Sequence, residues 1–137
     1  MSLPLEGIKV IDLSRIIAGP FCTQYLADMG AEVIKIEERD AGDPLRRQGV
    51  VINGESWYFV NLNRNKKSMT LNLRTDEGKE IFRKLAKTAD VVVENFRPNV
   101  MERLGLDYER LKEINPRIIY LSLIHISEPT RLGMISY

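Results

Sequence analysis

Apolar positions in this chain fall alternately into short unbroken runs and into helical spacing. Residues 7–13, GIKVIDL, are rich in Val and Ile and are bounded by Gly7 and a turn over residues 14–20, the pattern of a strand buried on both faces. Beyond it Cys22, Tyr25, Leu26 and Met29 recur at helical spacing, with Pro20 suited to the first turn and Gly30 to the stop. The spacing predicts a helix packed by that stripe. Residues 31–37, AEVIKIE, predict a second strand, so the first 37 residues form a β-α-β unit whose crossover is right-handed.

Residues 38–67 interrupt the rhythm with Gly42, Pro44, Gly49 and Gly54, and hold no sustained helical or alternating period. A long, partly irregular excursion is expected, serving as a ligand lid, a subunit-contact arm or plain surface. Trp57, Tyr58 and Phe59 are expected to anchor this loop, a pocket wall or a subunit contact being the other readings. Regularity returns with a short strand over residues 68–73 and a helix capped by Thr75. Asp76 and Glu77 lie in its positive first turn, and Ile81, Phe82, Leu85 and Ala89 form its buried stripe. VVVEN at residues 91–95 predicts another strand. Short helices follow near residues 99–104 and 107–114, ended by Asn115 and Pro116, and then a strand over residues 117–121. Strands alternating with helices predict an α/β fold with an open, mostly parallel sheet and helices on both faces.

The 137 residues carry 20 Lys and Arg against 19 Asp and Glu, a net charge of +1, so no global field draws the chain to nucleic acid or to an anionic membrane. Any anion site must be local. A hydrophobic share of 44% with a charged share of 28% describes one ordinary globular domain and excludes a disordered or fibrous chain. No apolar run approaches the roughly 18 residues of a membrane-spanning helix. The start lacks a secretory signal pattern and a single Cys allows no internal disulfide, so a cytoplasmic location is expected.

The turn RIIAGP at residues 15–20 places the amides of Ile17, Ala18 and Gly19 at the carboxyl end of a parallel strand, where unpaired N–H groups and a helix dipole favour an anion. From spacing alone it is either a structural turn or a binding loop. A nicotinamide cofactor is disfavoured, because only Gly19 sits where three spaced glycines are wanted, although Glu37 ends the second strand at a ribose-binding distance. The stretch RNKKSMTLNLR at residues 64–74 contains no acid. Its Arg64, Lys66, Lys67 and Arg74, with Arg97 and Arg103 beyond the VVVEN strand, make the densest positive field. That field suits a phosphate site or a solvated edge that keeps the sheet from aggregating. Cys22 reads as core, Asp12 as a strand-terminating or capping carboxylate, and no metal-ligand spacing is present.

In fixed order, AGP, GAEVIKIE, the pair Gly42 and Asp43, NKKS and VENFRP resemble the class III CoA-transferases, the family of formyl-CoA:oxalate CoA-transferase, carnitine CoA-transferase and the related α-methylacyl-CoA racemases. The resemblance runs from Leu3 to Ser122. It implies a Rossmann-like large domain, a smaller domain and a homodimer of two interlaced chains, acting on an acyl-CoA and a carboxylic acid. Coenzyme A would lie on Ile17 and Ala18, on Leu71, Asn72, Leu73 and Arg74, on Asn95, Phe96 and Arg97, and on Arg103. The three arginines would meet its phosphates, while backbone and apolar atoms hold adenine and pantetheine. Glu38 stands where the formyl-CoA enzyme has Arg, and Arg15 where it has His, so that member's acyl specificity is not carried over. An acyl-CoA racemase of the same family and a non-catalytic nucleotide-binding module are the competing readings.

In the family an Asp carboxylate attacks the acyl-CoA thioester, giving a mixed anhydride and then an aspartyl-CoA thioester from which the acceptor acid takes CoA. Asp12, Asp43, Asp76, Asp90 and Asp107 do not match the motif of that Asp, so no catalytic residue is assigned. LSLIHISEPTR at residues 121–131, with ISY at 135–137, resembles the conceptual translation of a sequencing-library adapter. The expected division is a partial CoA-binding domain over residues 1–122 and a non-native tail over residues 123–137. The tail is expected to be poorly ordered, its His125 carries no chemistry, and the chain alone is expected to be inactive.

Overall fold

The computed structural model describes residues 2–124, so the expectation of poor order in the adapter-like tail falls, from residue 125 onward, outside the described residues. In chain order the elements are β1 (Lys9–Asp12), α1 (Ala18–Asp28), β2 (Glu32–Glu37), β3 (Val51–Ile52), β4 (Glu55–Ser56), α2 (Trp57–Asn63) and β5 (Lys67–Thr70). They continue as α3 (Asp76–Ala86), β6 (Val91–Glu94), α4 (Val100–Leu104), α5 (Tyr108–Ile114) and β7 (Ile119–Ser122). Five strands pair in the order β5-β2-β1-β6-β7, every neighbouring pair parallel, while β3 and β4 form a separate antiparallel hairpin. The expected α/β fold with an open parallel sheet is therefore present.

The unbroken apolar runs follow from burial of both sheet faces. Side chains alternate along a strand, so Ile11, Leu13 and Val92 join Phe82, Leu106 and Leu111 beneath α3 and α5. Val10, Val33 and Val93 point the other way and meet Ala27 and Ala31 at the end of α1. Thr75 caps α3 as expected, its Oγ1 accepting from the Gly78 amide at 3.1 Å, and Phe82 and Ala86 are wholly buried. Ile81 is the exception in the anticipated stripe and faces solvent.

Two expectations are corrected. The buried face of α1 is Gly19, Pro20, Thr23, Gln24 and Ala27; Tyr25 and Met29 are exposed, and Cys22 and Leu26 only half-buried. The sheet-facing side of this helix carries a hydrogen-bonded polar network, so its apolar residues do not mark the buried face. Gly19 is needed there because a Cβ would collide with the Ser14 side chain. Residues 38–67 are more regular than expected. Pro44–Arg47 forms a 3-10 turn, the hairpin follows, and α2 is capped by Ser56, whose Oγ accepts from the Phe59 amide at 3.3 Å. Leu45 and Leu62 anchor the segment, whereas Trp57 and Tyr58 are exposed and Phe59 half-buried.

Candidate functional site

Because β1, β2, β5 and β6 run in one direction, their carboxyl ends open on one edge of the sheet, and a cleft of about 310 Å³ lies there. Its apolar wall comes from Leu13, Ile36, Leu71 and Phe96, and Arg15, Arg74 and Arg97 bring three guanidinium groups to its rim. Among the described residues none of the three forms an ion pair with an acid. The Arg15 guanidinium lies over the Phe96 ring, 5.1 Å from its centroid, which limits the side chain's freedom without neutralising it. Glu37 and Glu38 also line the cleft.

The segment after β1 is held by side chains from four places in the chain. Asp12, buried at the end of β1, accepts from the Ser14 amide at 2.9 Å and from the Ser14 hydroxyl. Asn95 pins Arg15 twice, accepting from its amide and donating to its carbonyl, both at 2.8 Å. Asp43 accepts from the Ile16 amide at 3.1 Å, and Lys35 donates to the Ser14 carbonyl at 2.9 Å. Lys35 and Asp43 are themselves a buried ion pair at 2.9 Å. A Lys in the middle of a strand buried on both faces requires such a partner, and that requirement is the sequence signal for the pair.

The acid-free stretch does not act as one positive field. Arg64 pairs with Asp28 at 2.6 Å, Lys67 with Glu32 at 2.6 Å and the buried Lys66 with Asp12 at 3.0 Å. Lys66 also donates to the Pro20 carbonyl, Thr23 Oγ1 and Asn63 Oδ1, and its burial pulls its pKa below the ordinary lysine value, with Asp12 opposing. Partners far off in sequence neutralise three of the four cations, and Arg74 alone is left facing the cleft. Asp12, read as a capping carboxylate, does accept from Ser14, but it is also the hub that joins β1, α1 and Lys66.

Glu37 is likewise committed. Arg46 donates to both of its oxygens at 2.7 Å, and the Asp43 amide donates at 3.0 Å. Burial would raise this carboxyl, but the hydrogen bonds from Arg46 and Asp43, with the charges of Arg46 and Lys35, outweigh it and hold the pKa at about 2. Arg46 in turn lies under the Phe59 ring, 3.7 Å from its centroid. The Cys22 thiol is pushed up, first by burial and then by Asp12, which suits a packing role and not a nucleophile.

Of the residues named from the resemblance, the cleft brings together Leu71, Asn72, Leu73, Arg74, Phe96 and Arg97. Ile17 and Ala18 are exposed at the start of α1, two and three residues beyond Arg15. Asn95 uses its side-chain amide on the Arg15 backbone, and Arg103 is outside the cleft lining, its Nε donating to the Asn99 carbonyl at 3.0 Å. Sequence reasoning left Arg15, Lys35, Asp43 and Arg46 without a role in the site. A larger cavity of about 460 Å³ lies beside β7 and shares Arg97, but its other charged lining residues are acids, among them Glu94, Asp107 and Glu109. Tyr120 reaches Glu94 there at 3.5 Å, and burial, then Glu94, pushes its phenol above the ordinary range. Size favours this cavity for a ligand; charge excludes it for a polyanion.

The sequence profile of CoA-transferase family III matches residues 5–125. An acyl-CoA transferase of Fusarium pseudograminearum is 54% identical over 128 residues, covering 87% of this chain and 28% of that protein. The human succinyl-CoA:glutarate CoA-transferase is 49% identical over 121 residues, covering 88% of this chain and 28% of that protein. The chain thus spans a little over a quarter of the length of these relatives. Among solved structures, a CAIB/BAIF family protein from Brucella suis superposes with a TM-score of 0.83 at 46% identity, covering 89% of this chain and 33% of that one.

Proposed function

Because the chain belongs to CoA-transferase family III, we propose that it is the CoA-binding part of an enzyme that moves CoA between an acyl-CoA thioester and a carboxylic acid. One observation carries this reading: three arginines that have no acidic partner among the described residues line an apolar-walled cleft at the carboxyl ends of parallel strands. Guanidinium forks suit the diphosphate and the ribose phosphate, and the wall of Leu71 and Phe96 suits adenine or pantetheine. Ile17 and Ala18, with Asn72, Leu73 and the backbone of Asn95, complete the proposed contacts, and Arg103 reaches the carrier from the edge. Of the described carboxylates, Glu37 in the cleft is locked to Arg46, Asp12 and Asp43 near it are locked to buried lysines, and Glu38, which also lines the cleft, is not the Asp that the family uses as nucleophile. The 137 residues alone are therefore proposed to bind coenzyme A without turning it over. The whole enzyme is proposed to act in the cytoplasm as an interlaced homodimer, without metal.

Titration calorimetry with coenzyme A and with ATP tests the reading. Coenzyme A is expected to bind clearly more tightly, because pantetheine adds apolar contact, and Arg74→Glu is expected to weaken it about tenfold or more, less so as salt rises. Equal affinity for both ligands would favour a plain nucleotide-binding module. An Arg74→Glu protein that binds coenzyme A unchanged at low salt would remove that contact from the site.

A further inference from the structure

We infer that Asp43 is a positioning residue for the cleft: by holding Ile16 in a left-handed backbone conformation it aims Arg15 into the anion site and sets the Ile17 and Ala18 amides beside it. The inference rests on the CoA reading above.

Ile16 has φ of 68°, a region that a β-branched residue occupies only where its surroundings fix it there. Those surroundings are side chains brought from far along the chain. Asp43 Oδ1 accepts from the Ile16 amide at 3.1 Å and from the Leu45 amide at 3.0 Å. Its Oδ2 faces Lys35 Nζ at 2.9 Å, and Lys35 reaches back to the Ser14 carbonyl at 2.9 Å. Ser14 and Ile16 are thus gripped on either side of Arg15, whose own backbone Asn95 holds.

The Lys35–Asp43 pair ends on the backbone of a turn, and the charged side chain that leaves the turn is Arg15, lying over Phe96 in the cleft wall. Asp43 and Lys35 are almost wholly buried, so solvent does not compete with the clamp. The segment that carries Asp43, within the long excursion after β2, therefore shapes the site without lining it.

Two altered forms of the full chain decide the matter. Lys35→Met combined with Asp43→Leu removes the clamp while leaving no unpaired buried charge. Ile16→Gly added to that pair removes the backbone strain that the clamp opposes. Coenzyme A affinity by calorimetry and hydrogen exchange at residues 16–18 are read together with the melting temperature. The double variant should bind about tenfold or more weakly, with faster exchange at residues 16–18. The triple variant should recover most of the affinity without recovering the melting temperature, a split that a purely structural role would not produce.

A double variant that binds normally or a triple variant that recovers nothing would overturn the positioning role. Should the unaltered chain take up no coenzyme A at all, the CoA reading fails. Exchange then decides the clamp alone, faster exchange at Ile16 in the double variant supporting it and unchanged exchange overturning it.

Discussion

Glu37 ends β2 where a dinucleotide fold would place its ribose-binding carboxylate, yet Arg46 and the Asp43 amide occupy it. A carboxylate held at about 2 in the folded chain and near 4.5 when unfolded contributes stability that is fully present above pH 4.5 and lost as the pH falls toward 2. The Arg46 side chain is 44% exposed, so solvent screening reduces that contribution to roughly 1–2 kcal/mol. Urea unfolding of the unaltered chain and of Glu37→Gln should differ by about this amount at pH 7, with the gap closing below pH 4.5; a gap independent of pH would show that the charge is not the cause. Position in the sequence revealed that Glu37 stands at a strand end. It could not reveal Arg46 as its partner, because that pairing is made by the 3-10 turn inside a segment without periodicity.

At the scale of elements, the basic run fastens β5 to its neighbours. Lys67 ties β5 to β2, and Arg64 ties the end of α2 to α1. Lys66, wholly inside, ties β5 to Asp12 and Thr23. Lys66→Met leaves Asp12 buried without its cation and should cost about 3–5 kcal/mol, whereas Arg64→Ala breaks an exposed pair and should cost about 1 kcal/mol or less. Chemical denaturation of the two variants gives the comparison, and similar losses would contradict the assignment of burial. Strands were legible because apolar runs such as VVVE leave little alternative, and Thr75 before two acids marked the start of α3. The face of α1 was not legible. Thr23 and Gln24 are buried, Thr23 within the Asp12 network, while Phe21 and Tyr25 look outward, so counting apolar residues selected the wrong side. Helix α2 escaped for a related reason, since Trp57, Tyr58 and Val60 are exposed and the seven residues show no amphipathic period.

Over the whole molecule, these outward apolar groups come in pairs on two neighbouring helices: Phe21 and Tyr25 meet edge to face at 4.8 Å on α1, and Trp57 and Tyr58 lie 6.1 Å apart on α2. Apolar surface gathered in this way suits a contact with another chain, and the proposed homodimer supplies one. Light scattering should show the mass of the chain rising with concentration and Tyr25→Glu suppressing the rise; a constant monomer mass would argue against that use of the surface. The parallel order β5-β2-β1-β6-β7 does the remaining work by collecting Arg15, Arg74 and Arg97, more than 80 residues apart at the extremes, on a single edge. A crystal structure of the chain with coenzyme A tests this most directly. The diphosphate is predicted within hydrogen-bonding reach of the Arg74 or Arg97 guanidinium, with Arg15 beside it; a diphosphate bound away from all three would contradict the account.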